Sequence, residues 1–429
     1  MSQRIQAPAD VDLTNVDIQQ CPYPAYAVLR EQAPVFRDPG TGYLVITRYE
    51  DLRSVLRDPE TFSSQIGDPR YRDLRGRRQL HSKQARRIRE LYEEKGWLPK
   101  PTLAGRDDPN HKQMRAMFDE AFRPARVKDI EPFVKATAYE LIDEFIGEGE
   151  CEWVAQFAVP LPLIVIGKQM GARKEDLAQI KIWTDAFFRR IGMMLSEEEE
   201  LEAVELEIQA QHYFQPIFER LRQEPDDSLL SVLVNRVIDG WGRALSDEEL
   251  HAEMMSDTFV GGSETTTNAL SAGVKLLIEN PEVWERLKAD PDTHLKTFIE
   301  EVLRLESPVQ GLNRIATRDT ELGDVPIPKG SVLNLRFAAA NRDERQFECP
   351  ERLDLDRKKA ATHLAFGSGT HHCLGAPLAR RELYWGFKAL VDRIDSMRFA
   401  SKQQDFEYHP HVLLRSLKSL HIEFTPRSG

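Results

Sequence analysis

Cys373 closes a glycine-punctuated loop, Phe366-Gly367-Ser368-Gly369-Thr370-His371-His372-Cys373-Leu374-Gly375, that leads directly into a helical run from Leu378 to Asp392. Pro377 suits the first turn of such a helix, where its missing N–H costs nothing. A cysteine just ahead of a helix start faces free N–H groups and the positive end of the dipole, which favour thiolate over thiol. Such a thiolate is a metal ligand or a nucleophile. Zinc would need further ligands, yet Cys21, Cys151 and Cys349 are scattered without a CxxC pair. His371 and His372 are too close to Cys373 for all three to bind one ion easily. A phosphate loop of the GxGxxG type would need glycine at position 372, which is His372.

At every fixed position the segment resembles the cysteine-ligand loop FGxGxHxCxG of the cytochrome P450 family. The resemblance implies that Cys373 ligates the iron of haem b, with Gly367 and Gly375 shaping the loop against the cofactor. It also implies that Phe366 packs on the cysteine side of the ring. A second motif is Phe259-Val260-Gly261-Gly262-Ser263-Glu264-Thr265-Thr266. Two adjacent glycines inside a helix cost about 1 kcal/mol each relative to alanine, so they need a reason. Helix–helix packing is one; close approach of a planar cofactor and a diatomic ligand is the other. Thr265 can also compete locally for a helix carbonyl. The stretch resembles the family's (A/G)GxxT segment. That implies Gly261 against the cofactor, Thr265 bonded to the dioxygen being activated, and Glu264 passing protons from solvent.

His111 and Arg115 share a helix face at i,i+4 and resemble the family's HxxxR. Arg314 and His371 match its other haem-propionate positions. Glu301 and Arg304 resemble its ExxR pair and Arg352 the third member of that network, and all three are expected to hold the cysteine loop and not to do chemistry. By position relative to Thr265 and Arg314, the substrate pocket is expected to include Asp257, Val260, Gly261, Gln310, Leu312, Leu413 and Leu414. Asp257 and Gln310 are polar, which hints at a substrate with a hydrogen-bonding group; the alternative turns Asp257 toward a neighbouring helix or water.

These residues need a scaffold. Strands are expected at Pro34–Arg37 and Tyr43–Thr47, around the turn at 38–42, followed by a helix near Glu50–Arg57. From Gln113 to Lys288 the pattern is almost entirely helical. The longest helix starts at the capping box Ser246-Asp247-Glu248-Glu249 and runs to Asn280-Pro281, about 34 residues or roughly 50 Å. Another covers Asp292–Glu306, and short strands follow from Gly311 to Leu335. The expected architecture is mainly α with a small β part, the cytochrome P450 fold. It is read as a single domain over 1–429, with the haem between the long central helix and the helix after the cysteine loop. Residues 64–104 carry no motif and are expected to form a variable lid over the substrate.

The chain has 429 residues, 41% of them hydrophobic and 30% charged, and a net charge of −12. An acidic balance argues against general nucleic-acid binding. No apolar core marks the first residues and no run approaches eighteen, so neither a leader nor a membrane anchor is expected. Four dispersed cysteines suit a reducing, cytoplasmic setting. Microsomal members of the family that the chain resembles carry an N-terminal anchor, so the resemblance implies a bacterial-type member. Residues 68–100 are the exception in charge, with eleven Lys/Arg against five acids. They form a solvated face, a docking surface for an acidic redox partner, or a lid that attracts an anion. Ser196-Glu197-Glu198-Glu199-Glu200 is expected to be an acidic helix start.

The family resemblance implies a haem-thiolate monooxygenase, inserting one atom of O2 into a small hydrophobic substrate by hydroxylation or epoxidation. Electrons are expected from a separate ferredoxin and ferredoxin reductase docking on the cysteine side, and the protein is expected to be a monomer. A hydrogen peroxide-driven peroxygenase and a non-catalytic haem-binding sensor are the competing readings. The Glu264-Thr265 pair argues against both, since a proton relay serves chemistry that starts from dioxygen.

Overall fold

The computed structural model describes residues 5–66, 83–403 and 405–427. The expected helical bulk is present, and its main core gathers around two helices that cross, Gly261–Glu279 and Ala376–Arg393. Glycines make the crossing possible. A β-carbon at Gly273 would overlap the Phe387 ring, and one at Gly386 would stand 2.8 Å from Leu270 Cδ2. Each backbone therefore approaches the other where a side chain would hold it off. Phe387 meets Phe298 edge-on at 5.0 Å, and Trp153 stacks on Phe157 at 4.3 Å, filling the space around the crossing.

The expected 34-residue helix is one continuous rod with an irregularity inside it. Asp247–Glu253 is α-helical, Met254–Val260 is π-helical, and Gly261–Glu279 is α-helical again. Its start is the expected capping box: Ser246 Oγ accepts from Glu249 N at 3.3 Å, and Glu249 Oε2 accepts from Ser246 N at 2.9 Å. The sequence predicts an uninterrupted α-helix there, and the π segment Met254–Val260 is the difference. Ser196 caps Glu197–Gln223 through the same box, so the acidic run there is a helix start as expected.

A five-stranded sheet lies in the order Val35–Arg37, Leu44–Ile46, Val332–Leu335, Leu312–Ala316, Phe62–Ser63. Its Leu44–Ile46 and Val332–Leu335 strands are parallel and the other neighbours antiparallel. A second sheet went unread: Glu150–Glu152 and Ile394–Phe399 flank His421–Pro426. Three residues at 150–152 are too few to show a period inside a helical stretch.

Of the lid region 64–104, residues 67–82 lie outside the described residues, as do the arginines of the basic stretch that fall there. The described part forms a helix, Lys83–Lys95, that docks on Glu197–Gln223 through Leu91, Tyr92, Val204 and Ile208. Tyr92 donates to Glu207 at 2.6 Å, and Lys95 lies 3.7 Å from Glu205. The basic helix thus faces the acidic one.

Candidate functional site

The cysteine loop is built as its glycines require. Gly367 and Gly369 have φ of 68° and 70°, and a β-carbon on Gly369 would collide with the Leu56 carbonyl at 2.5 Å. The turn brings Cys373 N to 2.8 Å from the Phe366 carbonyl, which it donates to. The helix start that follows aims the N–H groups of Gly375 and Ala376 at the sulfur. Burial nevertheless pushes the thiol pKa above its ordinary value, against those two N–H groups and the cations Arg115 and Arg380. The helix start alone therefore does not make the thiolate; a bound metal ion would complete it. Cys373 as a residue is still open to solvent.

Four basic side chains converge beside this loop. The rings of His111 and His371 lie 4.1 Å apart between centroids. Arg115 donates to the carbonyls of His372 at 2.9 Å and Thr370 at 3.3 Å. Arg314 is buried and donates to the Asn313 carbonyl at 2.8 Å. Burial pulls Arg314 down to about 10, with Asp107 opposing. His371 falls to about 3 through burial and then the charges of Arg314, His111 and Arg115. The Nε2 atoms of both histidines are buried without a hydrogen-bond partner. Such an excess of donors and positive charge fits a dianionic group lying across them, as the propionates of a haem would.

On the central helix the two glycines separate in role. A β-carbon on Gly262 would press on Ile166 at 3.3 Å, which is helix packing. One on Gly261 would meet only the Ser256 carbonyl at 3.5 Å, and Gly261 is exposed. Gly261 is thus the position where a flat group can approach the backbone. Thr265 Oγ1 donates to the Gly261 carbonyl at 3.0 Å, the local competition expected of it. Glu264 is buried and meets Lys181 Nζ at 2.9 Å; Lys181 also contacts Asp185. Burial pushes the Glu264 carboxyl upward and Lys181 pulls it back. Lys181 had no sequence signal, being one of many lysines on a separate helix, Leu177–Ile191.

Glu301 and Arg304 form a fully buried two-pronged pair at 2.6 and 3.0 Å. Arg304 also donates to the carbonyls of Asn341 (3.0 Å), Pro350 (2.6 Å) and Arg352 (3.1 Å). The third member is not the Arg352 side chain, which is 68% exposed and pairs with Asp354. It is Arg357, whose Nε lies 2.9 Å from Glu301 Oε1 with the side chain 8% exposed. Two arginines in one short loop are equivalent by spacing, and only the turn decides which faces inward.

The expected pocket residues divide. Asp257 is a correction: its carboxylate accepts from Thr102 Oγ1 (3.1 Å), Ala104 N (2.9 Å) and Ser256 Oγ (3.0 Å). It fastens the 102–105 turn to the π segment. Gln310 is another, with Nε2 donating to the Ser307 carbonyl at 2.7 Å and Oε1 accepting from Tyr26 at 3.1 Å. Leu414 is buried and shares a small cavity with Gln310, Tyr26 and Leu13, on the side of the N-terminal segment. Val260 is buried, Leu413 half-buried, and Leu312 is a leucine left 41% exposed beside Arg314. Phe366 is half-buried against the main core.

The family model described as Cytochrome P450 matches residues 170–419. This chain belongs to the cytochrome P450 family. It is 32% identical to a steroid C26-monooxygenase of Mycobacterium tuberculosis, over 94% of this chain and 93% of that one. It is also 32% identical to a linalool 8-monooxygenase of Pseudomonas putida, over 97% and 99%. Among solved structures it resembles cytochrome P450 CYP109Q5 from Chondromyces apiculatus, with a TM-score of 0.81, 30% identity and coverage of 98% and 99%. The cytochrome P450 fold and the monooxygenase class follow, as does a haem-iron cofactor. Among the described residues no helix is long and apolar enough to cross a membrane.

Proposed function

We propose that this P450 is a haem-thiolate monooxygenase that uses dioxygen to oxidise a hydrophobic substrate, with haem b held by Cys373. Haem bound there would supply reductive activation of O2, with thiolate electron donation favouring O–O cleavage. The observation that carries the dioxygen reading is the chain Glu264–Lys181–Asp185, which joins a buried carboxyl next to Thr265 to one whose side chain is 49% exposed. A peroxide-driven enzyme has little use for it.

The residues then divide the work. His111, Arg115, Arg314 and His371 would hold the two propionates. The N–H groups of Gly375 and Ala376 stabilise the sulfur as an anion. Because the Thr265 hydroxyl proton goes to the Gly261 carbonyl, Thr265 Oγ1 is left to accept a bond from a proton donor on the substrate side. Glu264 delivers protons there and recovers them through Lys181 and Asp185. With Asp257 and Gln310 both committed elsewhere, the named walls offer apolar surface, and shape positions the substrate. Relatives named for a steroid and for linalool agree with a hydrophobic substrate.

Electrons would come from a ferredoxin and its reductase in the cytoplasm. A groove of about 530 Å³ beside the cysteine-loop helix presents Lys128 and Lys296 together with the paired Arg380–Glu300 and Arg381–Glu131, and the two lysines are the cations that suit an acidic partner. Reduced protein with carbon monoxide should show the red-shifted Soret band of thiolate-ligated haem, and Cys373→Ser should lose it. Ferredoxin-driven turnover should consume NAD(P)H and yield hydroxylated or epoxidised product from apolar compounds that shift the haem to high spin. Equal rates with hydrogen peroxide alone would overturn the dioxygen reading.

A further inference from the structure

Beside the buried Glu301 stands a second carboxylate that its network does not use. Glu300 takes Arg380 in a two-pronged pair, with Nε to Oε1 at 2.6 Å and Nη2 to Oε2 at 2.9 Å. Its Oε2 also meets His363 Nε2 at 3.0 Å. His363 Nδ1 accepts from Ala365 N at 3.1 Å, so the imidazole proton sits on Nε2 and is donated to Glu300. Burial opposes the Glu300 anion, but the bonds from Arg380 and His363 outweigh it and hold the carboxyl at about 2. The pair is thus charged and fixed in direction.

Arg380 lies seven residues after Cys373 on the helix that the loop opens. Its guanidinium stacks on Phe366, Cζ to ring centroid 4.5 Å, and the Phe366 carbonyl accepts the Cys373 N–H at 2.8 Å. That stack and that bond place the guanidinium against the residue whose backbone holds Cys373. A cation paired at 2.6–2.9 Å acts at a distance as a dipole, whereas an unpaired one acts as a full charge.

We propose that the Glu300–Arg380 pair is a positioning and charge-setting device for the Cys373 sulfur. The carboxylate determines how much of the Arg380 charge the sulfur feels, and so sets the reduction potential of the haem bound there. This rests on the reading of Cys373 as the haem ligand. More uncompensated positive charge near the sulfur withdraws electron density from the iron and raises the potential; more negative charge lowers it.

The test is redox titration of the haem-loaded protein. Glu300→Gln leaves Arg380 unopposed and should move the midpoint potential upward. Arg380→Gln leaves the Glu300 carboxylate unopposed and should move it downward. A merely structural role would loosen the loop in both variants and move both in one direction, so shifts of the same sign, or none, overturn the proposal. Should Glu300→Gln fail to load haem, Arg380→Lys serves in its place. It keeps the charge but cannot make both bonds, and it should shift the potential upward; a downward shift overturns the proposal. Wild-type protein lacking the thiolate carbon monoxide band would instead overturn the haem-thiolate reading beneath it.

Discussion

Lys181 Nζ stands 2.9 Å from Glu264 Oε1 and also touches Asp185, so one ammonium ties a buried carboxylate to a half-exposed one. Because burial raises the Glu264 carboxyl and Lys181 lowers it, removing Lys181 must raise it further. If protonated Glu264 is the donor, activity falls as pH rises past its pKa. Lys181→Met should therefore carry that falling limb to higher pH, while Glu264→Gln should lower product formation about 10²-fold and enlarge the solvent isotope effect. A pH–rate profile whose limb moves downward in Lys181→Met would contradict the relay.

Arg357 and Arg352 separate structural from incidental charge. Arg357→Ala strips a partner from the buried Glu301 and should cost about 3 kcal/mol, seen as a lower denaturation midpoint and poor haem retention. Arg352→Ala removes an exposed pair with Asp354 and should leave the denaturation midpoint and haem retention close to those of the wild type. Equal losses in the two variants would return the network role to Arg352.

Asp257 fastens Thr102 and Ala104 to the central helix, so its loss should be felt as stability and not as specificity. Asp257→Ala should destabilise the fold by about 1–3 kcal/mol. Spectral titrations with apolar compounds and their hydroxylated analogues should weaken by the same factor. Selective weakening for the hydroxylated set would show that Asp257 reaches substrate after all.

Glu382 supplies a pH test. It is fully buried on the cysteine-loop helix, and burial raises its carboxyl from 4.5 to about 8, against one hydrogen bond from Thr266. Between those values the folded protein holds a proton that the unfolded chain has released, so stability declines as pH rises through that window. At pH 7 the penalty is roughly 3 kcal/mol. Glu382→Gln should flatten the decline, raising the melting temperature at pH 7.5 more than at pH 5. A melting difference that does not vary with pH would refute the assignment.

Whatever depends on near neighbours along the chain can be read from residue types and their spacing. The loop to Cys373, the Glu264-Thr265 pair, Glu301 with Arg304, His111 with Arg115, the acidic helix start at Ser196 and the capping box at Ser246 all lie within a few residues. There the helix and turn geometry alone sets which groups meet. Tertiary structure decided which distant group answers each of them. Arg357 turned in and Arg352 out; Lys181 came from another helix to Glu264; Asp257 was taken by Thr102 and Ala104, and Gln310 by Tyr26. The Glu150–Glu152 strand found its partner at His421–Pro426, near the other end of the chain. Such pairings follow from packing and from the cost of leaving a buried charge or donor unmatched, and spacing along the chain carries no trace of them.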